Sequence, residues 1–389
     1  MKKIIFWFVL VGMTALFAEA GAAFVLFHSG SLRSKQVYII DYSDGSSALV
    51  QLGKKVLRRA SLLQRGGALH TVSVSSDPSP LYIYDETLGY TIAPGLYRVS
   101  LTNLREEPPD LYKFWATVEP NGSRATSHVP HCAERTVWVF GDSVVWGWGN
   151  NDEQTFPWLL QARYPHTRFI NNAQNGYGTI HALVQLRSLA GRIDADDLII
   201  VGYQSYLNRR NVASPSRLRA IDTARWSVHD AERARHPYGV LEDGRLRIEF
   251  VGLSCASNDG WCDQPDPPED EMVAVSKAIF AEIRALTDAT LVVAYMEGED
   301  DDPVIAFLRE QNVPVADARP NARVYQVDDF EPFDSHPGPL AQYHYHRKIA
   351  QFLEENDYLD RSAAGSAATG LRAAGEPRPP CDVDAGAYR

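Results

Sequence analysis

Ser143, Asp334 and His336 are the residues of this 389-residue chain whose types and positions suit nucleophilic catalysis. A serine hydroxyl becomes a useful nucleophile when a base takes its proton and a third group orients the base. Ser143 follows Gly141-Asp142, directly after the apolar run 137–140. A small residue, an acid and a hydroxyl behind a buried strand put Ser143 on a tight turn at the strand's C-terminal edge. Open α/β sheets bind their ligands at that edge. The turn should feed a helix, whose free N–H groups favour negative charge. There the serine oxygen can attack a carbonyl, with its own N–H turned toward the oxyanion. The competing reading is a polar turn that only caps a helix. Among eleven histidines, only His336 lies where this architecture wants a base, in Phe333-Asp334-Ser335-His336-Pro337-Gly338. Residues two apart in extended chain point the same way, so Asp334 can reach the His336 ring and fix its tautomer. Here too a polar turn capping the last helix is the alternative.

These residues need strands that end at one edge, and the chain from 133 onward alternates strand and helix as a parallel sheet requires. The expected strands are 137–140, 168–171, 198–202, 290–295 and 313–316. Helices are expected at 154–164, 179–189, 270–286, 304–311 and 339–355. Asp302-Pro303 reads as an N-cap and N1 proline. Thr179 reads as a cap after the polar glycine loop 172–178. Residues 206–270 break the rhythm and read as an insertion over the C-terminal edge, a lid or binding loop. Its arginines, Arg209, Arg210, Arg217, Arg219, Arg225, Arg233 and Arg235, could meet an acidic substrate. Their interleaving with acids favours a solvated helical face instead. Residues 36–130 read as a small β-rich module, with strand-like 37–40, 81–84 and 97–101 and no catalytic spacing. Residues 361–389 are Ala/Gly/Ser/Pro-rich and expected to be disordered.

Residues 1–27 read as a targeting segment: Lys2 and Lys3, then the apolar run 4–17, then Ala18-Glu19-Ala20. Cleaved signal and uncleaved anchor are both compatible with it. Either places the rest of the chain beyond the cytoplasmic membrane, with membrane contact only through that segment. Four cysteines suit an oxidising compartment: Cys255 with Cys262 across a short polar loop, and Cys132 with Cys381. Zinc-type spacing is missing from them, so no metal is expected. A net charge of −11 argues against nucleic acid as a partner.

Taken together, the motifs resemble those of the SGNH (GDSL-like) hydrolase superfamily, exported bacterial type. The resemblance rests on Phe140-Gly141-Asp142-Ser143, on Asn172-Ala173-Gln174-Asn175-Gly176-Tyr177-Gly178-Thr179, and on Asp334-Ser335-His336-Pro337. Residues 151–157 and 85–90 are also similar to segments of bacterial members. The resemblance implies a three-layer, flavodoxin-like α/β domain over 133–358, with Ser143 as nucleophile, His336 as base and Asp334 as its partner. It implies oxyanion donors at the Ser143 and Gly176 N–H groups, and no cofactor. The family's third block, Gly-x-Asn-Asp, is replaced by Gly202-Tyr203-Gln204-Ser205. The third donor is then Gln204, or Asn208 or Asn211 if the loop is offset.

The chemistry expected is ester hydrolysis through an acyl-enzyme. An O-acetylated extracytoplasmic glycan is the first substrate class implied, and Trp146, Trp148 and Trp158 could stack on sugars or simply fill the core. An O-acyltransferase, a non-catalytic envelope binding or assembly protein, and a phosphate or nucleotide binder are the rivals.

Overall fold

The computed structural model describes residues 72–103, 110–127, 133, 135–219, 233–253, 264–320, 329–330 and 334–359. Nearly all of them belong to one compact unit, Val74–Thr102 with Leu111–Arg389. The other unit, Met1–Ser73 with Asn103–Asp110, lies almost wholly outside the described residues. So do the targeting segment, the C-terminal tail, and Cys132, Cys255, Cys262 and Cys381. No helix among the described residues is long and apolar enough to cross a membrane.

Five parallel strands form the centre: β6 (Arg135–Phe140), β7 (Thr167–Asn171), β8 (Leu198–Gln204), β11 (Thr290–Glu297) and β12 (Val315–Asp317). Their order is β7-β6-β8-β11-β12, the doubly wound 2-1-3-4-5 arrangement of flavodoxin-like folds. These strands are rich in Val and Ile because both faces are covered. On one face Trp138, Phe140, Ile199, Val201, Leu291 and Val293 join one apolar cluster with α3 (Thr179–Leu189), α5 (Glu269–Ala285) and α6 (Pro303–Glu310). The alternate residues Val137, Val139, Ile200, Val292 and Ala294 are equally buried. Their face is covered by α2 (Phe156–Arg163) and α7 (Pro339–Glu355), which pack on each other. The result is the parallel sheet expected from the alternation, in the three-layer α/β arrangement that the resemblance implies.

Element starts follow local chemistry. Asp302 caps α6, its Oδ1 accepting from Val304 N–H at 2.8 Å and Ile305 N–H at 3.0 Å. At α3 the cap differs from expectation. Gly178 holds the N-cap position and Thr179 is already helical, because His181 Nδ1 accepts the Gly178 N–H at 3.0 Å. The segment 206–270 contains a 3₁₀ turn over Ser205–Arg210, α4 (Pro215–Arg219), and an antiparallel hairpin of β9 (Arg235–Glu242) and β10 (Arg245–Gly252). The sequence carries a signal for this hairpin that the reading of 206–270 as an irregular insertion missed: Asp243-Gly244 supplies a two-residue turn, and Arg245, Arg247 and Glu249 alternate with Leu246, Ile248 and Phe250. The β-rich residues before the sheet form an antiparallel pair, β2 (Tyr82–Asp85) with β3 (Gly89–Ile92). A three-stranded sheet adds β1 (Val72–Asp77), β4 (Gly95–Asn103) and β5 (Asp110–Val118).

Candidate active site

The site begins where β6 ends. Phe140 is fully buried, Gly141 turns the chain, and Asp142 caps a single helical turn, α1 (Ser143–Trp146), through its carboxylate and Val144 N–H at 3.0 Å. The helix expected after the turn is present and lasts one turn. Gly147, in the left-handed region at φ +86°, stops it, its N–H donating back to Ser143 O at 2.9 Å. One turn carries little dipole, so local N–H groups matter more than the helix as a whole. The turn lies hard against β8: a Cβ on Gly202 would sit 2.2 Å from the Val145 side chain.

His336 comes from β14 (Asp334–Pro337), a short strand paired with β13 (Asp329–Phe330) ahead of α7. Its Nε2 lies 2.7 Å from Ser143 Oγ. Serine is buried and the histidine half-buried. With the proton on Nδ1, the Ser143 hydroxyl donates to Nε2, the arrangement a general base requires. Asp334 opens the same strand; its side chain lies outside the described residues. Asn150 donates to Pro337 O at 3.0 Å, and Gln342 of α7 donates to Val144 O at 2.9 Å. Both side chains are fully buried; Asn150 ties the loop behind the nucleophile turn to the histidine strand, and Gln342 ties the turn to α7. Trp148 packs beside His336, ring centroids 6.4 Å apart. Trp146 and Trp148 are core residues, and Trp158 is half-buried.

The glycine loop runs alongside. Gln174 N–H donates to Gly141 O at 3.1 Å, which seats the loop against the nucleophile turn. Gly176 adopts φ +79°, and neither its N–H nor that of Ser143 has an acceptor among the described residues. Gln204, at the end of β8, is fully buried, and its amide lies 3.5 Å from Asp142 Oδ1. Asn208 accepts from the Tyr203 hydroxyl at 3.1 Å. Asn211 is committed to the fold: its Oδ1 accepts from Ile180 N–H and its Nδ2 donates to Ser276 Oγ, each at 2.9 Å.

The arginines of the 206–270 segment divide. Arg209, Arg233 and Arg235 are exposed, but not on the one helical face expected: Arg209 lies on the 3₁₀ turn and Arg235 opens β9. Arg210 and Arg217 turn inward. Arg210 pairs with the fully buried Asp142 at 3.0 Å and donates to Tyr177 O at 3.0 Å. The Tyr206 hydroxyl donates to the same Asp142 oxygen at 2.5 Å. Arg217 donates to Gly176 O at 3.0 Å. Burial, with the Arg210 charge beside it, lowers the Arg217 guanidinium to about 10. Both side chains answer polar groups that the fold removes from water, an outcome interleaved charges do not reveal. Arg219 (its side chain) and Arg225 lie outside the described residues.

Three further groups escaped the sequence reading. Glu297 ends β11 opposite Gln204, just past a break in strand register. Its accessible area marks it exposed, yet the protein crowding it desolvates the carboxyl, as for a group in a cleft. Desolvation first, then the Asp142 charge, raise it to about 7, and His336 works against them. His181 and His236 are buried with rings 4.8 Å apart. Burial, the first cause for each, lowers both, His236 to about 3, so both are neutral at physiological pH. No group of three or more acidic, histidine or cysteine side chains is placed to hold a metal among the described residues.

No family model and no curated protein matches this chain. Among solved structures it is similar to a lipolytic protein of the G-D-S-L family from Veillonella parvula, at 13% identity and TM-score 0.34, covering 56% of this chain and 97% of that one. It is similar to the psychrotrophic esterase EstA from Pseudoalteromonas sp., at 14% identity and TM-score 0.33, covering 57% and 97%. It is also similar to a two-domain esterase active on acetylated mannans, at 12% identity and TM-score 0.31, covering 57% of this chain and 50% of that one. At such identities and scores, the site's meaning rests on its own geometry. The chain has the three-layer α/β fold that its resemblance to the SGNH hydrolases implies, with a serine and a histidine joined at the edge where such folds bind ligands.

Proposed function

We propose that the protein is a serine ester hydrolase working through an acyl-enzyme. The observation that carries this is the 2.7 Å approach of His336 Nε2 to Ser143 Oγ, between two elements 193 residues apart in the chain. His336 takes the serine proton as Oγ attacks the ester carbonyl. The Ser143 and Gly176 N–H groups receive the oxyanion, and Gln204 is the favoured third donor. The imidazolium then protonates the leaving alcohol, and water, activated by the same ring, releases the acid. Asp334 orients the ring in this scheme.

The substrate class we favour is an O-acetylated glycan beyond the cytoplasmic membrane. Support comes from the targeting pattern of residues 1–27 and from the resemblance to exported bacterial SGNH hydrolases. The buried Trp146 and Trp148 offer no sugar platform, so recognition falls to other residues.

The test pairs a fluorophosphonate probe with turnover of p-nitrophenyl acetate and acetate release from an O-acetylated polysaccharide. Wild type should be labelled and active, and Ser143→Ala and His336→Ala should be silent in both assays. An unlabelled, inactive wild type would move a non-catalytic envelope role ahead. Acetyl transfer to an added sugar acceptor, in place of acetate release, would make the protein an O-acyltransferase.

A further inference from the structure

We propose that Tyr90, on the β2–β3 hairpin, is a positioning residue that aims the Gly176 N–H at the oxyanion. This rests on the ester-hydrolase reading above. The Asn175–Gly176 peptide is trans, so its carbonyl and its N–H point in opposite directions. The Tyr90 hydroxyl donates to that carbonyl at 2.6 Å. Holding Asn175 O against the hairpin sends the Gly176 N–H away from it. The loop is seated on the nucleophile turn by Gln174 N–H and Gly141 O, so that is where the N–H can serve.

Neighbouring contacts remove the remaining freedom. The next carbonyl, Gly176 O, is held by Arg217, and the one after, Tyr177 O, by Arg210. Three successive peptides are each pinned by a different side chain. The hairpin grips the loop on its own account as well: the Tyr177 hydroxyl donates to Tyr90 O at 2.6 Å, and Asn175 Nδ2 donates to the Tyr82 hydroxyl at 3.1 Å. The approach is so close that a Cβ on Gly176 would lie 2.4 Å from Tyr90 Oη and 2.6 Å from an Arg217 nitrogen. Tyr90 is buried, and burial raises its phenol above the ordinary value, so the hydroxyl keeps its proton through the neutral range. A donor fixed before reaction stabilises the oxyanion without reorganising, whereas a loop free to rotate loses that benefit.

Tyr90→Phe removes one oxygen and leaves the ring packing. It should lower kcat roughly 10- to 100-fold with KM within about twofold, because the effect appears only when the oxyanion forms. Affinity for a trifluoromethyl ketone, which places an oxyanion in the same position, should fall by a similar factor. Tyr97→Phe is the control: it removes a second hydroxyl from the β-rich region, one that donates to Ala93 O and not to the glycine loop, and should leave kcat unchanged. A folded Tyr90→Phe protein with wild-type kcat and wild-type ketone affinity would overturn the proposal. So would equal losses in both variants that track their melting temperatures. A wild type that neither turns over ester nor takes the fluorophosphonate would overturn the hydrolase reading and this one with it.

Discussion

Asn150 donates its side-chain amide to the Pro337 carbonyl at 3.0 Å, one residue beyond His336, and so couples the loop behind Ser143 to the strand that carries the base. Asn150 is fully buried and gives the same amide to Trp148 O at 3.1 Å. Asn150→Ala leaves both carbonyls without this donor. Stability should fall by about 1–3 kcal/mol in urea unfolding. Turnover of p-nitrophenyl acetate should fall roughly 10-fold as the serine–histidine geometry loosens. Full kcat in the folded variant would show that the pair is held without this tie.

Arg124 supports the other side of the same loop. Its guanidinium lies over the Trp146 ring at 4.2 Å, pairs with Asp152 at 3.0 Å, and donates to the carbonyls of Trp146, Gly147 and Asn150. Removing one partner of a buried pair strands the other. Arg124→Ala should therefore cost about 3–5 kcal/mol in chemical denaturation. Arg124→Lys should recover part of that loss at most, since an ammonium cannot reproduce the planar fork.

Glu297 makes stability depend on pH. Its folded value, about 7, stands above the ordinary 4.5, so the folded chain holds the proton more tightly. Wild-type stability contributed by this group is then lost as pH rises from about 4.5 through about 7. Glu297→Gln cannot ionise. Its melting temperature should match wild type near pH 4 and exceed it near pH 8. Equal melting temperatures at both pH values would show that the carboxyl is solvated like an ordinary glutamate.

Gln204 and Asn208 separate two versions of the oxyanion site. Gln204 lies beside Asp142 at the end of β8, while Asn208 is joined to Tyr203, whose hydroxyl also reaches Asp302. Gln204→Ala should lower kcat about 10²-fold with little change in KM, and Asn208→Ala should leave both near wild type. The reverse pattern would mean that the loop after β8 supplies its donor one turn later. If neither matters, the site has backbone donors only.

The sequence by itself determined where the central strands and their helices fall, with ends displaced by one to two residues in several of them. The apolar runs mark all five central strands, and α7 occupies 339–355 as its periodicity and flanking Gly338-Pro339 require. These signals are local: a run of β-branched residues, a cap or a glycine acts within a few positions of itself. The placement of Ser143 directly after β6 was legible for the same reason, whereas His336, expected in a turn, lies within β14 of a separate two-stranded sheet. Tertiary structure alone decided that Arg210 and Arg217 face inward, that Arg124 gathers the carbonyls of Trp115, Trp146, Gly147 and Asn150, and that Tyr90 grips the glycine loop. Each of these side chains satisfies polar groups supplied by segments far away in the chain. Whether an arginine is solvated or buried depends on which carbonyls and carboxylates the assembled fold withdraws from water around it, and that is settled only when the segments meet.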